Sequence, residues 1–413
     1  MRPLLLLFAP AGRALADLVY QLPPGKYTEA IAYNRALDWA YFFGTAGELI
    51  VLAAMVRWRI GATLRDFGER ITKRRFLHGL IVAPAVIVIV RLLLLPLSIH
   101  RQRLAVEYQQ SVQAWPSWFA DWAKELGLEI LIISLGAWLL LGLIRRSPRR
   151  WRLYAWLLSL PIGAFIALIS PIALEPMFYR FDPLEATRPD LVGAVEKVAA
   201  VAGYKIQPDR VFEMHAAQKE NAVNAYMTGF GPSRRIVIWD TTIAALTPEQ
   251  IQDVFAHELG HYALNHVPQS IALGSLLLLL GLIAADRLLR AIIARYGPQL
   301  RIRGLEDWAV LPLAFAVLVL FSFLSDPLVN GYSRWQERQA DIYELEVMHA
   351  LVPNAGRLSA EVDQIMGRID LDDPAPNPFF EFWLYTHPST PDRMHFAQHY
   401  DPWSSGHHTR YVD

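Results

Sequence analysis

Long uninterrupted runs of apolar residues dominate the pattern of hydrophobic and polar positions along the chain. Six of them are long enough to cross a bilayer, which takes about 20 residues of helix. They cover roughly residues 39–56, 76–99, 126–144, 151–174, 270–293 and 308–324. Tryptophans near their ends, such as Trp39, Trp151 and Trp308, fit anchoring at the membrane interface. The pattern therefore predicts an integral membrane protein that is mainly α-helical and crosses the bilayer many times.

The start of the chain carries a shorter apolar run. Arg2 is followed by apolar residues 4–9, and Ala14-Leu15-Ala16 stands before Asp17. This arrangement is typical of a small signal peptide with an A-x-A cleavage site. It is equally compatible with an uncleaved first membrane helix that extends toward Tyr20. We therefore expect six spans or seven.

Several ionisable residues lie inside the apolar runs or directly after them, among them Glu48, Arg91, Glu129 and Asp326. Charges at that depth are costly, and they normally face the interior of a bundle or a water-filled cavity. Either they pair and hold helices together, or the bundle encloses a hydrated chamber. The sequence leaves both readings open, and the expected fold is a bundle of six to seven spans around a chamber.

Two polar regions, residues 175–268 and 330–413, are expected to face water. The first contains a predicted helix at 189–203, ended by glycine. β-branched and aromatic residues predict short strands at 210–214 and 235–239. Between them lies a predicted exposed strand that runs into a glycine turn, at 224–231. These elements predict a small α+β unit, whose edge strand could hold an extended peptide through main-chain hydrogen bonds.

The expected organisation has five parts. They are 1–20, a signal peptide or first membrane helix; 21–174, an N-terminal transmembrane region of about four spans; 175–268, the α+β catalytic domain; 269–329, two transmembrane helices; and 330–413, the C-terminal part of the catalytic domain.

The stretch from Phe255 to His261 carries the candidate chemistry. His257 and His261 are four residues apart, so on a helix they project from one face and can share a metal ion. Thr247 and Gln250 predict a capping box at the start of that helix. Neutral imidazole suits zinc, and Glu258 can take the proton of a water at an open metal position. We therefore expect one Zn²⁺ per chain, in a hydrolytic site.

Composition narrows the chemistry further. The chain of 413 residues is 54% hydrophobic, carries no net charge and contains no cysteine. Disulfides, thiolate catalysis and cysteine-based zinc sites are excluded, so histidines and carboxylates must hold any metal. The balanced charge and the lack of a basic patch with interleaved aromatics argue against a nucleic-acid partner.

A catalytic zinc usually takes three protein ligands. Beyond the last apolar run, Glu337 and Asp341 are four residues apart in a stretch with helical spacing. One of them can bind the metal while the other accepts the second N–H of a ligand histidine. A charged helix after a membrane span is also common without any metal, so this pair alone does not decide the ligand.

Several short motifs, in order over more than half of the chain, resemble the type I CAAX prenyl proteases and their bacterial relatives, which are gluzincin-type zinc metalloproteases of the membrane. The matching stretches are Pro183-Leu184-Glu185, Asn224-Ala225-Tyr226 with Thr228-Gly229, Arg235-Ile236-Val237 with Asp240-Thr241, His257 to Tyr262, Glu337 to Asp341, and His387-Pro388 with Arg393.

The resemblance implies roles for individual residues. His257, His261 and Glu337 would be the zinc ligands, and Glu258 the general base. Asp341 would accept from a ligand histidine, most plainly His257. His387 would stabilise the oxyanion of the tetrahedral intermediate, with Arg393 supporting it. Asn224, Ala225 and Tyr226 would hold the substrate backbone along the edge strand.

The resemblance also implies the substrate class, a membrane-associated or lipid-modified peptide or protein. Two departures from the eukaryotic pattern, at residues 220–223 and 109–111, leave prenyl recognition open. The alternatives are general proteolysis of damaged membrane proteins and, outside the enzyme class, a zinc-holding membrane scaffold or transporter. A purely structural zinc is normally closed by four ligands, and a base such as Glu258 has no use in a transporter. We therefore expect a zinc endopeptidase.

Arginine-rich loops indicate the orientation, because short loops rich in Lys and Arg stay in the cytoplasm. Three loops on one side of a six-span arrangement share this enrichment. Their basic residues are Arg57, Arg59, Arg65, Arg70, Lys73, Arg74 and Arg75; Arg145, Arg146, Arg149, Arg150 and Arg152; and Arg287, Arg290, Arg295, Arg301 and Arg303. We expect a protein of the bacterial inner membrane with an extracytoplasmic catalytic domain, whereas the eukaryotic relatives are taken to work toward the cytosol.

Overall fold

The computed structural model describes residues 17–75, 77–229, 234–404 and 406–412. Its first half is a bundle of helices separated by short turns. These helices are α1 (Lys26–Arg57), α2 (Ile60–Ile71), α3 (Gly79–Glu107), α4 (Trp115–Arg146) and α5 (Trp151–Ile169).

A small α+β unit follows. It consists of β1 (Phe181–Pro183), α6 (Leu184–Thr187), α7 (Pro189–Val201), β2 (Val211–Met214), β3 (Ala225–Thr228), β4 (Arg235–Trp239), α8 (Asp240–Ala245) and α9 (Pro248–Ala263). The predicted helix at 189–203 and the strands at 210–214 and 235–239 are thus confirmed, apart from a few residues at their ends. The strand expected at 224–231 is present at Ala225–Thr228, and residues 230 and 231 lie outside the described part.

The chain then returns to the bundle and ends against the α+β unit. The remaining helices are α10 (His266–Leu300), α11 (Leu311–His349), α12 (Ala355–Asp370), α13 (Pro378–Leu384) and α14 (Thr390–His399). Helix α11 is 39 residues long, so it passes from the bundle into the α+β unit without a break and joins the two parts rigidly.

Contacts between the arginine-rich loops show that they meet at one end of the bundle. Arg65 donates to the carbonyl of Arg301 at 2.9 Å, and Arg290 donates to the carbonyl of Pro148 at 3.0 Å. Helices α1, α3, α4, α5, α10 and α11 run alternately between this end and the α+β unit. The basic loops and the candidate site therefore lie at opposite ends.

Five helical segments in the described part of the chain are long and apolar enough to cross a membrane. They are Lys26–Arg57, Gly79–Glu107, Trp115–Arg146, Trp151–Met177 and Trp308–His349. The sixth expected span, 270–293, forms the middle of α10, but that helix is not among these five. By length and composition, five of the expected spans are therefore confirmed, and α10 runs the length of the bundle beside them.

The beginning of the chain was expected to be a signal peptide or a membrane helix. Residues 1–16 lie outside the described part, and residues 17–20 are not helical. They run extended against α12 and α14: Gln398 donates to the Leu18 carbonyl at 2.9 Å, and the Tyr20 hydroxyl donates to the Gly367 carbonyl at 2.7 Å. A first helix therefore does not extend to Tyr20.

The ionisable residues within the bundle both pair and line a cavity. Arg91 donates to Glu129 at 2.7 Å, and Tyr41 donates to Asp326. The Arg91–Glu129 pair borders a cavity of about 940 Å³ that reaches the α+β unit at Lys219. The two readings of these charges are thus compatible, since the groups that hold helices together also face a polar space.

The four strands form one sheet in the order β1-β2-β4-β3. Strands β2 and β4 are parallel, and the outer pairs are antiparallel. Ile236 and Ile238 on β4 face the core that contains Phe255 and Leu259 of α9. Because β3 is an edge strand, one of its sides is free of sheet hydrogen bonds.

Candidate metal centre

Helix α9 is built to hold its histidines rigidly. The Thr247 side chain accepts from the Gln250 amide while the Gln250 side chain accepts from the Thr247 amide, which confirms the predicted capping box, and Pro248 occupies the first turn. On the face toward the sheet, Phe255 and Leu259 are only 1–2% exposed. This burial fixes the rotation of the helix, and with it the direction of His257 and His261.

A close helix–helix contact brings the third candidate ligand to those histidines. A Cβ on Gly260 would lie 3.1 Å from Tyr343 Cβ and 3.2 Å from Ala340 Cα on α11. Glycine thus lets α9 and α11 approach closely. The contact places Glu337 opposite His257, although 80 residues separate the two in the chain.

The side chains of His257, His261 and Glu337 converge on one point, which we call the ligand point. His257 Nε2 lies 3.2 Å from His261 Nε2 and 3.1 Å from Glu337 Oε2, and His261 Nε2 lies 3.5 Å from Glu337 Oε1. Donors about 2.0–2.2 Å from one tetrahedral ion are about 3.3 Å apart. Two imidazoles and a carboxylate at these separations fit a zinc ion.

Glu258 lies beside the two histidines on α9. Burial raises the pKa of its carboxyl, and the neighbouring histidines partly oppose that rise. A carboxylate is a better proton acceptor when its pKa is closer to neutrality. Its environment therefore suits a general base.

Asp341 contacts His257 on the side away from the ligand point. Its Oδ1 lies 3.3 Å from His257 Nδ1, and Arg393 Nη2 donates to the same oxygen at 2.9 Å. Arg393 Nη1 also pairs with Asp363 at 3.3 Å. Arg393 was expected to support His387, and that role stays a prediction, since both residues line one cavity. The ion pairs of Arg393 also place it next to Asp341 and Asp363.

His387 reaches the ligand point from the loop before α14. Its Nε2 lies 3.4 Å from Glu337 Oε1, and its side chain is 59% exposed. Thr386 Oγ1 contacts the other ring nitrogen at 2.9 Å. An imidazole at the open side of the ligand point can donate to an oxygen bound there.

Strand β3, which was expected to hold the substrate, lies next to α9, because Ala225 and Met227 pack into the core that α9 also enters. Tyr226 points to the opposite face of the sheet, where its hydroxyl donates to Glu175 at 3.0 Å. Asn224 is exposed just before the strand, and its carbonyl accepts from the Trp239 amide at 3.1 Å. Because the Tyr226 side chain is engaged on that face, this residue can contact a peptide at the β3 edge through its main chain.

The sequence analysis missed three buried groups next to the candidate ligands. His266 Nδ1 lies 2.9 Å from His261 Nδ1, and burial, then the neighbouring His261, lowers the pKa of His266 to about 4. Glu344 lies 3.3 Å from His257, and Asp253 faces Glu344. Helical spacing could have indicated the last two, because Asp253 precedes His257 by four residues and Glu344 follows Asp341 by three.

A second group of possible ligands, Glu213, His215 and Asp240, lies at the ends of β2 and β4. Two of its members, His215 and Asp240, have structural partners. His215 Nε2 contacts Asp182 at 2.8 Å, and Asp240 accepts the amides of Ala216 and other loop residues at 2.8–2.9 Å. These contacts account for the group as a loop support.

Comparison with known proteins agrees with this geometry. A family model described as peptidase family M48 matches residues 185–401, just over half of the chain. The chain belongs to peptidase family M48. A second model, described as the CAAX prenyl protease N-terminal region with five membrane helices, matches residues 14–180. The resemblance drawn from the motifs is therefore confirmed, and the M48 chain is a membrane metalloendopeptidase.

Individual relatives extend over most of this M48 chain. It is 28% identical over 383 residues to the uncharacterized metalloprotease YhfN of Bacillus subtilis strain 168, covering 93% of this chain and 88% of the relative. It is 24% identical to CAAX prenyl protease 1 of Saccharomyces cerevisiae, covering 67% and 62%. The crystal structure of Ste24p from S. mikatae shares the fold with a TM-score of 0.73 at 20% identity, covering 91% and 89%.

Proposed function

We propose that this M48 peptidase uses one zinc ion, held by His257, His261 and Glu337, to cleave peptide bonds in membrane-associated substrates. The observation that supports it most is the convergence of these donors within 3.1–3.5 Å of one another. When bound, zinc polarises the scissile carbonyl and makes water more acidic. Every other part of the reaction is assigned to side chains of this chain.

Glu258 takes the proton of the attacking water and passes it to the leaving amine. His387 donates a hydrogen bond to the carbonyl oxygen as negative charge develops there, which is where a donor is most effective. Asp341 accepts the Nδ1–H of His257 and so fixes the ring with Nε2 toward the metal. Strand β3 holds the substrate backbone in an extended conformation through its free edge.

The variant Glu258→Gln tests the catalytic assignment, because it removes the proton acceptor and preserves the shape of the side chain. We expect zinc content to stay at the wild-type level and peptide cleavage to fall by about 10²–10⁴-fold. Metal analysis of the purified protein, alongside a fluorogenic peptide assay, measures both. Near-normal cleavage by the variant would refute Glu258 as the base.

The substrate class is proposed from the relatives named CAAX prenyl proteases. The cavity beside Arg91 and Glu129 leads toward the α+β unit, so a chain anchored in the membrane could approach the site from the bundle. Cleavage of a farnesylated peptide, compared with the same peptide unmodified, distinguishes lipid-dependent processing from general proteolysis of membrane proteins. Equal rates on both peptides would favour the second function.

The active site is proposed to face away from the cytoplasm. The basic loops meet at the end of the bundle opposite the ligand point, and such loops remain cytoplasmic. The chain has no cysteine, so single cysteines at Ser147 and Asp373 can be labelled in intact inner-membrane spheroplasts with an impermeant thiol reagent. Labelling at Asp373 only is expected; labelling at Ser147 only would reverse the orientation.

A further inference from the structure

Two buried carboxyl groups lie behind His257, on the side away from the ligand point. Glu344 on α11 and Asp253 on α9 are each only 2% exposed. Glu344 Oε2 lies 3.3 Å from His257 Nδ1, the same separation as between that nitrogen and Asp341 Oδ1. His257 Nδ1 therefore faces two carboxylates.

The two carboxylates are not equivalent acceptors. Asp341 Oδ1 already accepts two N–H groups of Arg393, at 2.9 and 3.2 Å. Glu344 Oε1, in contrast, is buried and receives no hydrogen bond from the described part of the chain. With Asp341 Oδ1 engaged by Arg393, Glu344 Oε1 is the carboxylate oxygen behind His257 that has no N–H donor among the described residues.

Asp253 completes the arrangement. Its Oδ1 is also buried without an N–H donor among the described residues, and its carboxyl group faces that of Glu344. Two carboxyl groups can bond to each other only when one carries a proton. Burial, and then the facing Glu344, raise the pKa of Asp253 well above its usual range, so Asp253 is the partner that donates.

We propose that Glu344, held in place by a hydrogen bond from Asp253, is a positioning residue for His257 that acts beside Asp341. It shares the Nδ1–H of His257 with Asp341 and thereby helps to orient Nε2 toward the metal. The inference rests on the proposed role of His257 as a zinc ligand. The contact from Asp253 on α9 to Glu344 on α11, and from Glu344 to the proposed ligand His257, joins the two helices directly behind the metal site.

Zinc affinity measured by competition with a chromophoric chelator tests the proposal without any need for peptide cleavage. Glu344→Ala is expected to weaken zinc binding by about 10–100-fold, as the loss of a carboxylate behind a ligand histidine does. Glu344→Gln keeps the shape and one acceptor, so an intermediate loss is expected. Asp253→Asn still donates to Glu344 and should bind zinc like the wild type, whereas Asp253→Ala should not.

Glu346 provides a matched control. It lies on the same helix, is 4% exposed, and accepts the amides of Tyr411 and Val412 at 2.7 and 3.0 Å, away from the ligands. Glu346→Gln should lower the thermal midpoint while zinc affinity stays within about twofold, so a purely structural role for Glu344 would give this same result.

The outcomes are separable. Zinc affinity within twofold of wild type in both Glu344 variants overturns the proposal, and if Glu344→Ala does not fold, the Gln variant alone decides. Equal zinc affinity of Asp253→Asn and Asp253→Ala would overturn the part assigned to Asp253. Retention of stoichiometric zinc by His257→Ala would instead refute the proposed metal centre.

Discussion

The contact between α9 and α11 makes Gly260→Ala a sharp test of how the site is assembled. The added methyl would lie 3.1 Å from Tyr343 Cβ, 3.2 Å from Ala340 Cα and 3.3 Å from the Ala340 carbonyl oxygen. Two of these neighbours are backbone atoms and the third is a Cβ, so no side-chain rotation can relieve the overlap. The helices must separate by a few tenths of an ångström.

The expected magnitude follows from two opposing effects. Overpacking a well-packed contact costs about 1–3 kcal/mol, while replacing a mid-helix glycine by alanine contributes about 1 kcal/mol. The net effect on the free energy of unfolding is a loss of about 0–2 kcal/mol. Because His261 and Glu337 lie on the two helices that separate, zinc affinity should fall by about tenfold, comparable to the loss of a supporting contact.

Gly193→Ala on α7 is the matched control, because its added Cβ would have no atom within 4 Å. It should stabilise the protein by about 1 kcal/mol and leave zinc binding unchanged. With an unfolding entropy of about 2.1 cal/mol/K per residue, 1 kcal/mol corresponds to roughly 1 °C in this chain. The two variants should therefore differ by about 1–3 °C in thermal midpoint.

Differential scanning fluorimetry in detergent, together with chelator competition, provides both readouts. If Gly260→Ala raised the midpoint as much as Gly193→Ala and kept full zinc affinity, the close approach of α9 and α11 would not be what assembles the site.

Two further predictions concern charged groups of the catalytic unit. Glu337→Ala should reduce zinc content to well below one ion per chain after mild chelation, while Asp341→Ala should weaken zinc binding by about 10–100-fold without abolishing it; full zinc in purified Glu337→Ala would require a different third ligand. Burial, and then the neighbouring Asp372, raise the pKa of Asp370 to about 8. The stability that the protonated Asp370 carboxyl contributes is therefore complete below its unfolded pKa of about 3.9 and is lost as pH rises through 8. The difference in thermal midpoint between Asp370→Asn and wild type should therefore grow from pH 5 to pH 8, and an equal difference at both values would contradict this.

Local spacing in the sequence was sufficient for the secondary structure and for part of the site. Two histidines four residues apart must share a helix face, and the capping residues Thr247 and Gln250 mark where that helix begins. The alternation of apolar and polar residues at 235–239 predicted a strand, which the structure contains as β4 with one face on the core. Apolar runs indicated the membrane bundle; five helices of the described residues are long and apolar enough to cross a membrane, where six or seven spans were expected.

The motifs extended this reading to residues far apart in the chain. They indicated that Glu337 and His387 belong to the same site as His257. In the structure Glu337 lies 3.1 Å from His257, and His387 lies 3.4 Å from Glu337. Spacing alone did not distinguish Glu337 from Asp341. Glu337 and Asp341 share one face of α11. The position of α11 along the axis of α9 decides which of the two carboxylates reaches the ligand point.

Only the tertiary structure decided what lies behind the ligands. Asp253 and Glu344 occur in ordinary helical stretches, where charged residues are usually solvated, and nothing local shows that they are buried against each other. Arg393 was expected to support His387, and its ion pairs with Asp341 and Asp363 could not be read from local spacing. Helical periodicity determines which side chains share a face, but the approach of two faces depends on packing between distant segments, here on the absence of a side chain at Gly260.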